Sequence, residues 1–513
     1  MEVSALRNIE KMKKNLEDGS KEGSSEHQRE FPNLSKIRES LALAETLAKA
    51  SLMTSPAAKR RLAARNIQIT AAAAADNNYD NVNNNATSTD NNTCNYSSDP
   101  APSPAAGGVE YVPPKALLLY LVRMGSFTSA PKILNEDAQD SDIALPSRMT
   151  RSEILERCRC ECVQPLLRRA FKGVVKDVGV NIADDFKILQ INGVSKMCVQ
   201  PLNSPDHIRI FQWNVLSQSL GTTSDSFICC PDDALEWANR RYQIVQEILE
   251  YAPDVICLQE VDHFKFLKTC LETQGYGGMF FPKPDSPCLY LDGNNGPDGC
   301  AVFYRRDKFD FVKSDTRVLE VWRVQSNQVA VAVVLRVKET GREFLVAGTH
   351  LKARSGALLS TLRNEQGKDL LDFVSSTAEG RPVILCGDFN AEPSEPIYRT
   401  VLSHQELNLG SAYADFSSET DIPSIDREPP YTTWKVRDEG EVCHTIDYVF
   451  YNKDVFAVNA ILQFPTSDDI GEGRVPSFRY PSDHFSLCCD LRFHDQEKSD
   501  RSHAEELEGT SSL

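Results

Sequence analysis

The sequence predicts a layered α/β domain over residues 205–495. Two observations predict it. Short apolar runs of four to seven residues recur from about residue 205: "IRIFQWN", "DVICLQE", "DGCAVFY", "VAVVLRV", "EFLVAGTH", "PVILCGDFN", "TIDYVFY" and "HFSLCCDL". That is the length of a strand buried on both faces. Between them lie stretches of helical periodicity, and helices alternating with buried strands build layers. No repeat of 20–50 residues is visible, which excludes a leucine-rich array.

The elements follow in order. Residues 1–33 are polar and of mixed charge, as in disordered chains. Residues 34–65 ("SKIRESLALAETLAKASL", then "AAKRRLAARN") read as helix, either an amphipathic targeting or docking segment or a solvated arm. Glu39 and Glu45 weaken a mitochondrial-transit reading, because such peptides are poor in acids. Residues 76–107 form a low-complexity linker that cannot bury a core. Together residues 1–109 make a largely disordered N-terminal arm, and 496–513 a disordered tail. Residues 110–200 are a partly helical lead-in, with helix expected through "MTRSEILERCRCECVQPLLRRAF". Cys158, Cys160 and Cys162 raise the question of zinc. C-x-C-x-C lacks the usual structural spacing and a second pair, so ordinary thiols on a basic helix are the preferred reading.

Within the domain, "PDDALEWANRRYQIVQEILEYAPD" has an acidic start at Asp232 and Asp233 and is stopped by Pro253. "SGALLSTLRNEQGKDLLDFV" predicts a helix from Ser355 that buries Leu358, Leu362, Leu370 and Phe373. "VKETGREF" reads as a hairpin turn.

Composition narrows the function. The chain has 513 residues and a formal net charge of -17. That argues against broad nonspecific nucleic-acid binding, so a phosphate-bearing substrate must meet a local basic patch. The 15 cysteines are scattered, and Met1–Ser20 carries both signs of charge without a secretory pattern. A reducing intracellular compartment is expected, cytoplasmic by default with mitochondrial as the alternative. No run reaches the roughly 20 apolar residues of a membrane span.

Polar residues mark the strand ends. Asn214 closes "IRIFQWN", Glu260 closes "DVICLQE", His350 closes "EFLVAGTH", and Asp388 and Asn390 close "PVILCGDFN". Such groups converge on a pocket when the strands share a sheet edge. Strand alternation puts Asp388 and Asn390 on one side and Phe389 on the other. One carboxylate with amides and no cysteine pair suits Mg²⁺, a hard cation that works with phosphates. Asp447 lies in a strand-like run, where an unpaired carboxylate is costly. Asp483 and His484 precede the last strand, an arrangement that suits proton transfer or charge stabilisation. Lys352 and Arg354 in "HLKARSG" stand just before a helix, a site for anions.

"FQWNVLSQ", "ICLQEVD", "DGCAVFYRR", "GTHLKAR", "LCGDFNAEPSEPIY", "YTTWKVR", "HTIDYVFY" and "PSDHFSL" occur in the order seen in the exonuclease–endonuclease–phosphatase superfamily, which the chain resembles over roughly residues 205–493. The resemblance implies a four-layer α/β sandwich, with two packed mixed sheets flanked by helices. It implies Glu260 as Mg²⁺ ligand with Asn214 nearby, and Asp388 as the residue that positions or activates water. It further implies Asn390 as the amide on a phosphoryl oxygen, His350 and His484 as the charge-stabilising pair, and Asp447 orienting His484. Lys283 in "FFPKP" and Arg437 in "TWKVR" join Lys352 and Arg354 as phosphate-clamp candidates. "FFPKPDSPCL", "NNGPDGCAVFY" and "THLKARSG" carry a closer match to one branch. That branch implies Mg²⁺-dependent removal of the 2′-phosphate of NADP⁺ and NADPH. The deadenylase relatives imply 3′ exonucleolytic shortening of mRNA poly(A) tails instead, and a noncatalytic adaptor recruited through the arm is the third reading.

Overall fold

The computed structural model describes residues 149–173, 188–191, 194–197, 204–223, 225–291, 294–417 and 421–494. The arm, most of the lead-in and the tail lie outside them. In chain order the main elements are α1 (Arg151–Glu161), β1 (Phe171–Gly173), β2 (Ile188–Ile191), β3 (Val194–Met197), β4 (His207–Asn214), α2 (Trp237–Glu250), β5 (Val255–Val261), α3 (Phe264–Thr273), β6 (Tyr276–Pro282), β7 (Gly299–Arg305), β8 (Phe309–Val321), β9 (Val324–Val337), β10 (Glu343–His350), α4 (Ala357–Ala378), β11 (Val383–Asp388), α5 (Pro396–Leu402), β12 (Leu409–Ser411), β13 (Thr433–Arg437), β14 (Gly440–His444), β15 (Asp447–Asn452), β16 (Phe456–Leu462) and β17 (Leu487–Phe493).

Two mixed sheets form the centre. The first has the order β1-β16-β17-β4-β5-β7-β6, the second β12-β15-β11-β10-β9-β8. Each contains one parallel pair, β4 with β5 and β10 with β11. Parallel neighbours need a crossover, and α2 and α4 supply it. The remaining pairs, including the predicted hairpin of β9 and β10, are antiparallel.

Residue parity sorts the core into layers. Ile208, Ile210, Val255, Cys257, Val331, Val333, Val346, Ile384, Cys386 and Val449 meet between the sheets. Phe211, Trp213, Ile256 and Leu258 turn the other way, onto apolar residues of α1, α2 and α3. Ala332, Val334, Leu345, Ala347, Leu385 and Phe450 turn onto α4 and α5. The order helix, sheet, sheet, helix is the four-layer α/β sandwich.

Three helices differ from expectation at their ends. The helix expected through Phe171 stops at Glu161, after a start capped by reciprocal Thr150 and Glu153 bonds. Pro165 lacks an N–H and holds Gln164 extended. Phe171–Gly173 instead pairs with β16, so a strand ahead of residue 205 edges the first sheet. Extended backbone at Glu236 separates one turn, Asp232–Leu235, from α2. Helix α4 begins at Ala357, behind Gly356 at φ +121. Of the three clustered cysteines, Cys158 is buried under α1, Cys160 is exposed, and Cys162 caps the helix against Gln246. Among the described residues no helix is long and apolar enough to cross a membrane.

Candidate active site

Register brings the first polar groups together. β10 and β11 end at His350 and Asp388, which are partners across the parallel pair. β15 begins at Asp447, the partner of Asp388 across the antiparallel pair. The three residues form one row at the edge of the second sheet, on the parity that faces the first sheet. Asn214 ends β4 on the inward parity of its own sheet.

Asn214 ties the sheets together. Its Nδ2 donates to Asp388 Oδ2 at 2.9 Å and to Glu260 Oε1 at 3.0 Å, and its Oδ1 accepts from the Leu216 N–H at 3.0 Å. Parity alone would send Glu260 outward with Ile256 and Leu258. A register shift between Leu258 and Val261, with Glu260 at φ +55, turns it into the site. Bulges re-aim side chains in this way. Glu260 Oε2 accepts from the Ser217 N–H at 3.1 Å.

Asp388 Oδ1 accepts from the Asn390 N–H at 2.9 Å. Asn390 has φ +50, and its Nδ2 donates to the Leu351 carbonyl at 3.0 Å. This left-handed residue ends the strand alternation. Phe389 packs into the outer core against Tyr448 and Phe450.

The two histidines flank Asp388. His484 Nδ1 lies 2.8 Å from Asp447 Oδ2, and its Nε2 3.8 Å from Asp388 Oδ2. His350 Nε2 lies 3.5 Å from the same Asp388 oxygen, and its Nδ1 3.3 Å from Lys283 Nζ. Lys283 is ion-paired to Asp298 at 2.6 Å. Asp483, adjacent to His484, is held by Lys435 and lies 3.8 Å from His484 Nε2.

These surroundings set different charges. Burial lowers His350, and the Lys283 cation and His484 lower it further, so it is well below its ordinary value. Burial also disfavours charge on His484, but the carboxylates of Asp447, Asp483 and Asp388 overcome it and raise His484 to about 9. Asp388 is pushed up to about 7 by burial and then by Asp447. Burial, then Lys283 and Arg354, bring Lys352 down to about 8. Groups with pKa values driven apart in one cleft mark an acid/base site.

The remaining cations gather round this row. Lys352 is half-buried beside Lys283, while Arg354 is exposed at φ +82. Arg437 Nη2 lies 2.8 Å from Asp225 and 3.9 Å from Asp483.

The donors fit a hard divalent cation. Glu260 and Asp388 offer carboxylate oxygens, Asn214 bridges them through its Nδ2, and Asp447 Oδ1 is buried with no hydrogen-bond partner. Asp388, Asp447 and His484 also place one ligand atom each within 4.8 Å of one another.

Residues 211–484 match the endonuclease/exonuclease/phosphatase family. The chain belongs to that family. It is 52% identical to nocturnin of Drosophila melanogaster over 470 residues, which cover 88% of this chain and 72% of that one. The structure of the human nocturnin catalytic domain with bound sulfate anion is similar at 38% identity and a TM-score of 0.50, over 64% of this chain and 100% of that one. The Candida albicans CCR4-Not complex 3′-5′-exoribonuclease subunit Ccr4 is 25% identical over 361 residues, 60% of this chain and 44% of that one. Within the family the chain groups with the nocturnins. Members are divalent-metal-dependent, and the chain is a phosphoester hydrolase.

Sequence reasoning missed several supports. Thr432 Oγ1 donates to Asp447 Oδ2 at 2.7 Å and accepts from the Asp447 N–H at 3.1 Å. Lys435 neutralises Asp483. Period-two alternation in "TWKVR" puts Lys435 and Arg437 on one face, a signal that was available. Nothing local to Thr432 or Asp298 points to Asp447 or Lys283.

Proposed function

We propose that the protein is a Mg²⁺-dependent phosphatase that hydrolyses the 2′-phosphate of NADP⁺ and NADPH, giving NAD⁺ and NADH. The observation that carries this reading is the crowding of cations round a single catalytic row in an acidic chain. Lys283 and Arg354 stand close enough to Lys352 to depress its proton affinity. Such a cluster suits a small substrate with several phosphates, whereas a polymer groove favours a long basic stripe with stacking aromatics. The sulfate in the human relative's structure is consistent with an anion-binding catalytic domain.

In this reading Asp388, poised near neutrality, takes a proton from water as the water attacks phosphorus. The bond from phosphorus to ribose O2′ breaks, O2′ takes up a proton from solvent and leaves as a hydroxyl, and Asp388 returns its own proton to solvent. His350 and the His484 imidazolium stabilise charge on the phosphoryl oxygens, with Asp447 orienting His484 through Nδ1. Asn390 contacts a phosphoryl oxygen, and Lys283, Lys352, Arg354 and Arg437 bind the remaining phosphates. Glu260 and Asn214 would hold Mg²⁺, which when bound polarises a phosphoryl oxygen and shields its charge.

A 3′ exoribonuclease acting on poly(A) is the second reading, favoured by the similarity to Candida Ccr4. One assay separates them. The purified chain with Mg²⁺ is given NADPH and, separately, a labelled poly(A) oligonucleotide. Phosphate release from NADPH with intact RNA is expected. Shortened RNA with intact NADPH would transfer the assignment to the second reading. The cytoplasm is the proposed compartment.

A further inference from the structure

A buried carboxylate stands behind the catalytic row. Asp298 precedes β7 and is fully buried. Its Oδ2 lies 2.6 Å from Lys283 Nζ, and Lys283 Nζ lies 3.3 Å from His350 Nδ1. His350 Nε2 in turn lies 3.5 Å from Asp388 Oδ2. The four groups form a chain from the interior to the carboxylate that handles water.

The donor inventory of this chain has one solution. An ammonium group has three N–H donors and no lone pair. Beside Lys283 Nζ, His350 Nδ1 must therefore present its lone pair and accept. A neutral imidazole carries one ring proton, so that proton sits on Nε2, the nitrogen facing Asp388. Lys283 is itself only 6% exposed, and a buried cation stays charged only with a partner. Asp298 is that partner.

Asp298 is held in place from several directions. Ser286 Oγ donates to its Oδ1 and accepts from its N–H at 3.1 Å. Its carbonyl accepts from the Lys283 N–H at 2.9 Å, tying the end of β6 to the start of β7. A Cβ at the adjacent Gly299 would stand 2.3 Å from the Phe281 carbonyl oxygen, so only glycine allows this approach. Packing this close fixes where the carboxylate points.

We propose that Asp298 is a positioning residue for phosphoester hydrolysis: through Lys283 it fixes the His350 ring as the Nε2–H tautomer, aimed at the reacting phosphoryl group beside Asp388. The Lys283 ammonium is engaged by Asp298 and by His350 before any substrate phosphate reaches it. Lys283 is thus first a tautomer clamp and second a phosphate ligand. The inference rests on hydrolysis at this site, whichever phosphoester is the substrate.

The test uses the full chain with ¹⁵N-labelled histidine. Long-range ¹⁵N–¹H spectra report which ring nitrogen is protonated, and His350→Gln assigns the resonance among the nine histidines. Wild type is expected to show His350 as Nε2–H without substrate. Asp298→Asn is expected to shift it toward an average of both tautomers. The kcat on whichever phosphoester wild type hydrolyses should fall by about 10- to 100-fold, with KM little changed. If Asp298→Asn does not fold, Lys283→Met tests the same donor at Nδ1. Protonation of His350 on Nδ1 in wild type would overturn the proposal. So would a variant that loses activity while keeping the wild-type ring signature. A failure of NADPH as substrate leaves the ring measurement standing, so the two assignments fail separately.

Discussion

His350 and His484 approach the same oxygen of Asp388, with Nε2 atoms 3.5 and 3.8 Å from Oδ2. They do so in different charge states. His350 faces the Lys283 ammonium and stays neutral, whereas His484 faces Asp447 and Asp483 and is a cation. One carboxylate therefore meets a neutral donor and a charged donor across a space suited to a phosphoryl group. A site built this way stabilises developing negative charge without reorganising.

The His484 cation links stability to pH. Its value is raised from 6.5 to about 9, so its stabilising contribution is complete below 6.5 and is lost as pH rises through 9. The melting-temperature gap between wild type and His484→Gln is expected to be widest near pH 6 and to shrink above pH 9. A gap that widened with rising pH would contradict the pairing with Asp447.

Lys352 gives a second titration in the free enzyme. Its value is lowered to about 8, so the cation is present below pH 8 and is lost above it. The kcat/KM for NADPH, which reports free-enzyme groups, should fall across this range. Lys352→Arg, which stays charged, should remove that limb of the profile. Arg354→Ala should raise KM with kcat nearly unchanged, and an unaltered KM would make Arg354 a solvated surface cation.

Glu260→Gln keeps the shape of the side chain and removes its charge. Turnover at ordinary Mg²⁺ is expected to fall by at least about 100-fold, with circular dichroism unchanged. The Mg²⁺ concentration for half-activity should rise. Full Mg²⁺-dependent turnover in this variant would remove Glu260 from the metal site.

Gly387 is a geometric test of the catalytic row. A Cβ there would stand 2.5 Å from the Thr349 carbonyl oxygen, on backbone that cannot swing aside. Gly387→Ala should push β11 from β10 and disturb the register of His350 with Asp388. A loss of about 1–3 kcal/mol in denaturant melts is expected, with a fall in kcat. Wild-type stability and rate together would show that the row tolerates displacement.

Much of this protein is legible in its sequence because strand parity is local. A buried run of period two that ends in a polar residue states which side that residue faces, and Asn214, His350 and Asp388 follow directly. Half-exposed strands carry a weaker local signal. β8 mixes charged and apolar residues with little burial contrast, and β16 carries an irregular register near Val458. Other decisions needed the assembled structure. The bulge at Glu260 reverses the side its parity predicts, because a single left-handed residue shifts the register of β5 against β7. Asn390 likewise takes a left-handed backbone, with its N–H on Asp388 and its Nδ2 on the Leu351 carbonyl. Asp447 meets His484 across 37 positions and Asp298 meets Lys283 across a hairpin. Such pairings follow from sheet order and loop closure, which no local pattern encodes. The sequence alone determined which residue types stand at the strand ends. Only the tertiary structure decided which nitrogen faces which carboxylate, because charge and tautomer depend on partners brought together by the packing of two sheets.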